Sequence, residues 1–213
     1  MRKLVVRGHE DIVRYCKRKN IAIKDFNYPV AIPEGVTTNC EGMFKGCKSF
    51  NYPVAIPEGV TDCSEMFRYC ESFNQEVVIP QGVINCVGMF EGCKSFNKPV
   101  VIPEGVARCS SMFRDCESFN QSVTIPEGVE SCYSMFEGCK IFNRPIVIPE
   151  SVFSCDEMFK GCEAFDQEVL IPDGPIFISG MFIGCTSLDI HQRVELPNHI
   201  SAWEELIYAE YGG

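Results

Sequence analysis

Cysteine is the residue with the most chemistry to offer in this sequence, and its spacing is regular. The chain has 14 cysteines among 213 residues, and thirteen of them form two series with a period of 23 residues. The series are Cys40, Cys63, Cys86, Cys109, Cys132, Cys155 and Cys47, Cys70, Cys93, Cys116, Cys139, Cys162, Cys185. Thiols in such columns could form disulfides, bind a metal or fill a core.

The pattern favours reduced thiols in the interior. Ile178 takes the next place in the first series, which a packing position accepts and a bridging or metal-binding position does not. The Cys-x6-Cys spacing lacks the Cys-x2-Cys knuckle of zinc sites. Stacked coils would lie close enough for disulfides, so the preference rests on Ile178 and on the absence of a signal peptide in the chain as given. We predict no metal and no cofactor.

Catalytic patterns are missing from the sequence. The histidines are His9, His191 and His199, and none recurs with the 23-residue period. There is no Gly-x-Ser-x-Gly, His-Glu-x-x-His or glycine-rich phosphate loop. We therefore predict that the protein is not an enzyme.

Charge and hydropathy limit the partners. The net charge of −10 repels phosphate backbones, so we predict no direct nucleic-acid binding and, for a charged partner, a basic protein. No run of 18 apolar residues occurs, which predicts no membrane span. The chain as given is predicted to be cytoplasmic, with the cell surface as the alternative if a leader has been removed.

Phenylalanine shows the period best. It recurs at Phe26, Phe50, Phe73, Phe96, Phe119, Phe142 and Phe165, and a Met-Phe pair recurs from Met43-Phe44 to Met181-Phe182. A period in the twenties is the length of one leucine-rich-repeat coil, which cannot bury its apolar side without a neighbour. We predict a solenoid in three parts: residues 1–25 as an N-terminal cap, 26–187 as seven repeats, and 188–213 as a final strand and C-terminal capping helix.

The caps and the repeats have different local signals. Leu4–Val6 is predicted to be a strand, His9–Lys19 a helix, and Ser201–Glu204 a capping box that opens a last helix. Each repeat contains Val-x-Ile followed by proline, which predicts a short strand and a turn, and then Cys-x-x-Met-Phe-x-x-Cys, which suits one helical turn. The strands are Val30–Ile32, Val54–Ile56, Val77–Ile79, Val100–Ile102, Val123–Ile125, Ile146–Ile148 and Val169–Ile171.

Two polar columns are predicted to hold the coils in register. Asparagine follows the core phenylalanine in six coils, where its amide can satisfy the turn backbone of the next coil. Opposite charges alternate between coils after the second-series cysteine, which disfavours a slip by one coil. These charged residues are Lys48, Glu71, Lys94, Glu117, Lys140 and Glu163.

The amino-acid pattern of the repeats resembles that of a known family. Cys47-Lys-Ser-Phe50, Val54-Ala-Ile56-Pro57-Glu-Gly-Val60 and Met66-Phe67-Arg-Tyr-Cys70 resemble the BspA-type leucine-rich repeats of bacterial surface and secreted proteins, over about residues 26–197. The Phe-Asn-Gln wording is similar to repeats of mycoplasma-like surface lipoproteins. The resemblance implies a leucine-rich-repeat solenoid with a short parallel β-sheet on the concave face, turns and short helical turns on the convex face, and helical caps. It implies a binding or adhesion module without catalytic residues.

The candidate binding residues are the middle residues of the Val-x-Ile strands, which alternation sends outward. We name this set the apolar column: Ala31, Ala55, Val78, Val101, Thr124, Val147 and Leu170. A varied rim flanks it: Tyr28, Tyr52, Gln75, Lys98, Gln121 and Arg144. Exposed apolar residues in a row indicate an interface, although strand propensity alone offers a competing explanation.

One acidic column does not alternate in sign. We name it the acidic ridge: Glu34, Glu58, Glu104, Glu127, Glu150 and Asp173. Turn chemistry and solubility explain acids between proline and glycine, and a ridge that receives a basic partner explains them as well.

Three functions remain open from the sequence. The first is an interaction module that binds a protein partner, or a second copy of itself, through the concave sheet face. The second is an acidic inhibitor, bacterial or phage-borne, that mimics nucleic acid and blocks a basic groove of a host or defence protein. The third is a structural or adhesive surface repeat protein.

Overall fold

Two columns of stacked phenylalanine rings run through the core of the molecule. The computed structural model describes residues 3–35 and 38–197. In the Met-Phe column, from Phe44 to Phe182, ring centroids of neighbouring coils lie 5.4–5.8 Å apart. In the second column, from Phe26 to Phe165, they lie 5.9–6.1 Å apart. Because buried rings contribute much of the apolar area of each coil, the stack holds the coils together, and the predicted solenoid is confirmed.

The coils are hydrogen-bonded to each other along the Cys-x-x-Met-Phe-x-x-Cys segment. Every second backbone N–H in this segment donates to a carbonyl of the next coil, at 2.7–2.9 Å in the coil that contains Cys63. These bonds join Cys63 to Asn85, Glu65 to Val87, Phe67 to Met89 and Tyr69 to Glu91. The N–H groups of Met66, Arg68 and Cys70 bond within the coil, three residues back. The backbone groups of this segment are therefore shared between two coils.

The helical turn predicted in this segment is replaced by successive tight turns. Glu65 and Tyr69 have φ values of 52° and 60°, and Gly88 and Gly92 take the same two positions in the next coil with 57° and 72°. A positive φ at the third residue of a turn belongs to a type II geometry and cannot be part of a right-handed helix. The positive φ values let alternate N–H groups reach the neighbouring coil.

A column of single parallel bridges lies just before these turns. It passes through Asn39, Asp62, Asn85, Arg108, Ser131, Ser154 and Phe177. The remaining elements are β1 (Leu4–Val5), α1 (His9–Lys19), a 3-10 turn (Ile23–Asp25), β2 (Val30–Ala31), β3 (Val169–Leu170), α2 (Ile190–Arg193) and β4 (Val194–Glu195). β1 pairs with β2 and β3 with β4, both in parallel. None of the helices in residues 3–35 and 38–197 is long and apolar enough to cross a bilayer.

The predicted continuous sheet of Val-x-Ile strands is not present in the described residues. Only Val30–Ala31 and Val169–Leu170 are strands, and each pairs with a terminal segment rather than with a neighbouring repeat. The five segments between them make no backbone hydrogen bond to one another. The rings of the phenylalanine column that precedes these segments lie 5.9–6.1 Å apart, against 5.4–5.8 Å in the Met-Phe column on the hydrogen-bonded side.

The concave position of these segments stays a prediction. Ring distances increase only slightly, from 5.7 Å between Phe67 and Phe90 on the hydrogen-bonded side to 6.0 Å between Phe73 and Phe96 in the second column.

The helix predicted in the N-terminal segment is confirmed. α1 covers His9–Lys19, buries Ile12 and Cys16, and ends at Asn20, whose left-handed conformation (φ 54°) lets its N–H bond back to the helix. The C-terminal capping helix, with its capping box at Ser201–Glu204, lies outside the described residues.

Candidate functional site

The apolar column is exposed, and the residues on either side of it are buried. Val78, Val101 and Val147 are 82%, 78% and 83% exposed, while the valine or isoleucine before and after each of them belongs to the core. The alternation predicted for Val-x-Ile is confirmed. Ala31 is half-buried, in β2 beside β1.

Two grooves cross this column between neighbouring coils. The first groove, about 410 Å³, lies between Val78 and Val101. The second groove, about 470 Å³, lies between Val147 and Leu170. Thr124 lines neither of them. The grooves are open because the segments on their two sides share no ladder of hydrogen bonds.

The predicted rim is largely engaged in holding the coils together. Gln75 and Gln121 donate from Nε2 to the asparagine Oδ1 of the preceding coil, both at 2.9 Å, and Arg144 donates from Nε to the carbonyl of Asn120 at 3.0 Å. Tyr28 packs edge-on against Tyr15 in α1, with ring centroids 5.1 Å apart. Tyr52 is partly buried against the core. These rim residues therefore have structural contacts of their own.

The asparagine column forms the predicted ladder. Each side-chain Oδ1 accepts a hydrogen bond from the backbone N–H of the equivalent residue one coil later, at 2.9–3.1 Å. The ladder runs through Asn27, Asn51, Asn74, Asn97, Asn120, Asn143 and Asp166. One amide oxygen per coil thus satisfies a backbone donor that has no ladder partner.

All six side chains of the acidic ridge are exposed. None of them forms an ion pair with a described residue. Glu150 of the ridge also lines the second groove. The ridge therefore presents uncompensated negative charge beside the apolar column.

Much of the positive charge is used in pairs between coils instead. Arg68 bridges to Glu91 at 2.7 Å and also pairs with Glu65, which Lys45 contacts at 2.5 Å. The alternating column predicted from the sequence forms pairs as well: Lys48 with Glu71 at 2.7 Å, and Glu117 with Lys94 at 3.4 Å and Lys140 at 2.8 Å. These cations are neutralised on surfaces other than the ridge.

The cysteines form ladders of buried thiols. All fourteen are free and buried, as predicted. In six of the seven second-series positions the Sγ lies 3.0 Å from the carbonyl of the phenylalanine 26 residues earlier, as for Cys70 and Phe44. Burial raises the pKa of Cys47 and of Cys185 to about 12. Because the thiolate is the reactive form, thiols held this way are poor nucleophiles and poor metal ligands.

His9, one of the described histidines, has a structural contact. His9 contacts the carbonyl of Met43 at 3.2 Å through Nδ1, which attaches α1 to the first coil. No group of three or more metal-ligating side chains occurs in residues 3–35 and 38–197. His199 lies outside them.

The sequence analysis missed a second group of exposed apolar residues. Ile84, Phe153 and Phe177 are 56%, 47% and 66% exposed, on the bridged side of the coils. Ile84 and Phe153 occupy a column that holds Thr61 and Glu130 in other coils, and Phe177 occupies a column that is otherwise polar. No periodic signal in the sequence therefore marked these three residues.

Comparison with known proteins places the fold. A similar structure is a leucine-rich-repeat protein of T. pallidum, with 24% identity over 79% of this chain and 80% of that one and a TM-score of 0.60. Another is a leucine-rich cell surface protein of Faecalibacterium prausnitzii, with 20% identity over 84% of this chain and 63% of that one and a TM-score of 0.54. At this identity the likeness shows the fold, a leucine-rich-repeat solenoid. No curated protein matches the sequence.

A family model matches the repeats directly, at residues 34–125 and again at residues 80–172. Together these matches cover more than half of the chain and include most of the coils that carry the apolar column and the acidic ridge. The chain therefore belongs to the family described as Mycoplasma protein of unknown function, DUF285.

Proposed function

We propose that this protein is a non-enzymatic interaction module that binds a partner protein through the apolar column, with the acidic ridge as a flanking contact. The observation that carries the proposal is the exposure of Val78, Val101 and Val147, each close to or above four-fifths. An exposed valine does not contribute to the stability of the core. Burying it in an interface removes about 1.5–3 kcal/mol of unfavourable hydration. A repeated set of such residues supports an interface.

The competing explanation from strand propensity has less support. β-Branched residues are favoured in sheets because they pack against cross-strand neighbours. Here the segments with Val78, Val101 and Val147 have no hydrogen-bonded neighbour among the described residues. Pairing within the protein therefore does not account for valine at these positions.

The charge beside the column favours a basic partner over a second copy. A symmetric dimer through the apolar column would bring two acidic ridges together, and like charges at close range repel. A partner with lysine or arginine around an apolar centre would meet the ridge with complementary charge. A heterologous basic protein is therefore proposed ahead of a homodimer.

Within this proposal the protein acts at the cell surface. One of the similar structures is a cell surface protein, which supports the location that the sequence left as the alternative to the cytoplasm. An adhesive role at a surface would use the same apolar column.

Mimicry of nucleic acid is the second candidate, and the unpaired ridge favours it. Carboxylates in six of seven coils, none paired with a described cation, could occupy a groove that normally binds phosphates. The two candidates differ in which residues carry the affinity: the valines in the first, the carboxylates in the second.

The test places lysines on the column and compares them with lysines elsewhere. Val101→Lys with Val147→Lys should abolish capture of the partners that the wild-type chain retains from cell extracts. The control is Ile84→Lys with Ile141→Lys, which adds the same charge at two exposed aliphatic positions outside the column and should retain the partners. Circular dichroism should be native for both variants.

Two results would contradict the proposal. One is full retention of partners by the Val101 and Val147 variant. The other is release of every partner by DNA with a steep dependence on salt, which would favour the mimic.

A further inference from the structure

We infer that the apolar column is two separate binding grooves, and that each groove receives an extended segment carrying an aliphatic residue beside a lysine or arginine. This inference rests on the proposed function and specifies the partner. The first groove contains Val78 and Val101, and the second contains Val147 and Leu170.

The two grooves share the same components. Each lies between a coil whose Val-x-Ile segment is preceded by proline and a coil whose segment is preceded by glutamate. The first groove has Pro99 and Glu76 in these places, and the second has Pro145 and Glu168. Each groove therefore combines two exposed aliphatic side chains with at least one carboxylate.

The coil between the grooves has a different composition. It carries Ser122 where the neighbouring coils have proline or glutamate, and Thr124 where they have valine. A partner that followed one continuous apolar stripe would lose contact at this coil. Thr124 thus separates the column into two sites rather than contributing to one.

The shape of the grooves favours an extended occupant. The segments 77–79, 100–102 and 146–148 make no backbone hydrogen bond to another described residue, and coils whose rings are 6.0 Å apart leave no room for a third strand between them. The occupant therefore lies over the groove and enters it with side chains. An extended segment suits this, because its alternate side chains point to the same face.

The charge of the grooves selects a basic segment. Glu76 in the first groove and Glu150 and Glu195 in the second form no ion pair with a described residue, while Glu168 is 3.6 Å from Arg193. A lysine or arginine in the occupant finds an unpaired carboxylate in both grooves. Arg193 also lines the second groove, where it pairs with Asp166 and Glu168. Glu150 and Glu195 are left there against Glu76 in the first groove, so the second groove should bind more tightly, with a steeper dependence on salt.

The distance between the grooves sets the length of a partner that fills both. Their centres are three coils apart, and coils are 6.0–6.1 Å apart at the nearest phenylalanine column, which gives at least about 18 Å. An extended chain covers that distance with about six residues. A segment with two Lys-Val units and a linker of at least six residues can therefore occupy both grooves, with a gain from effective concentration.

The experiment uses the full chain with labelled methyl groups and two synthetic peptides. One has a single Lys-Val-Lys-Val unit, and the other has two such units joined by eight Gly and Ser residues. The single unit should shift the methyl signals of Val78, Val101, Val147 and Leu170, with two peptides bound per chain and no shift at Ile84. The double unit should bind one per chain, at least tenfold more tightly.

Matched variants assign the charges. Glu76→Gln should weaken binding in the first groove only, and Glu150→Gln with Glu195→Gln in the second only. Glu130→Gln, an exposed acid on the bridged side of the coils and outside the acidic ridge and both groove linings, should change neither. A peptide with glutamate in place of lysine should not bind.

Several outcomes would overturn the inference. They are a shift that extends evenly through the Thr124 coil, a single bound peptide, or a double unit that binds no more tightly than one. If these occur while the Val101 and Val147 variant still loses its protein partners, the two-groove inference fails and the proposed function stands. If that variant keeps its partners, the proposed function fails.

Discussion

The ring of Tyr69 lies on the backbone of Gly92 in the next coil, so closely that a Cβ added to Gly92 would be 2.4 Å from Tyr69 Cδ1. The guanidinium of Arg68 lies 4.9 Å from the centre of the same ring, and the Tyr69 hydroxyl contacts Glu91 at 3.1 Å. Both Tyr69 and Gly92 have a positive φ. This contact combines turn geometry, ring packing and an ion pair at one junction between coils.

Gly92→Ala should therefore destabilise the protein more than an ordinary glycine replacement. The matched control is Gly59→Ala, which has a similar φ of 86° and nothing within 4 Å of the new Cβ. The control should lose about 1–2 kcal/mol for the left-handed conformation alone. Gly92→Ala should lose a further 1–3 kcal/mol, roughly, for the collision with the ring, measured by urea unfolding.

Removing the ring should cancel the additional loss. In the background of Tyr69→Ala, the change Gly92→Ala should cost about as much as Gly59→Ala does. Equal losses for the two glycine variants in the wild-type background would show that the ring moves away at little cost.

The asparagine ladder predicts a difference between two substitutions at one position. Asn97 Oδ1 accepts from the Asn120 N–H at 3.0 Å and from Gln121 Nε2 at 2.9 Å. Asn97→Ala should lose about 1–3 kcal/mol of unfolding free energy because a partly buried backbone donor is left unpaired. Asn97→Asp keeps an acceptor oxygen and should lose less than half as much. Equal losses would show that the amide contributes through packing alone.

The Arg68–Glu91 pair should contribute more to stability than the exposed pairs. The Glu91 side chain is 9% exposed and that of Arg68 is 25% exposed, with 2.7 Å between their charged atoms. Glu91→Gln should cost about 1–3 kcal/mol, below the roughly 3–5 kcal/mol of a fully buried pair because water reaches Arg68. The control Glu71→Gln breaks an exposed pair with Lys48 and should cost less than about 1 kcal/mol. In 1 M salt this smaller loss should disappear, because salt screens exposed charges. Similar losses in both would contradict this assignment.

The buried thiols predict loss of stability at alkaline pH. Burial raises the pKa of Cys40 to about 11, and that of Cys47 to about 12, from an ordinary value of 9.0. The unfolded chain therefore loses thiol protons first, so the contribution of the thiols to stability is constant below about pH 9 and falls above it, by about 1.4 kcal/mol per pH unit for each such thiol. Circular dichroism should show unfolding between about pH 9 and 11.

Two measurements separate the thiols from other groups that titrate in this range. Cys63→Val removes one buried thiol and leaves the lysines and tyrosines in place. It should therefore reduce the slope of the unfolding free energy against pH by the contribution of one thiol. A thiol reagent at pH 8 should react slowly with the native chain. After denaturation without reductant, the same reagent should modify fourteen thiols. Rapid reaction of the native chain would show that the columns open readily.

The sequence by itself determined the parts of this protein that depend on equivalence between coils. A residue that recurs every 23 positions meets the same environment in each coil, so one period predicts a whole column. The buried cysteines and phenylalanines, the asparagine ladder and the outward position of Val101 and Val147 follow from this. α1 could be predicted because its charge order and its end at Asn20 are local signals.

The tertiary structure alone decided which side of the coil is hydrogen-bonded. Alternation along Val-x-Ile is the same in a paired strand and in an unpaired extended segment, so it could not show whether a sheet forms there. Pairing depends on how two neighbouring coils pack against each other, which involves residues of both coils at once, such as Phe73 and Phe96 with ring centroids 6.0 Å apart. For the same reason the grooves could not be foreseen, because they lie between extended segments, such as those of Val78 and Val101, that form no hydrogen bond to each other.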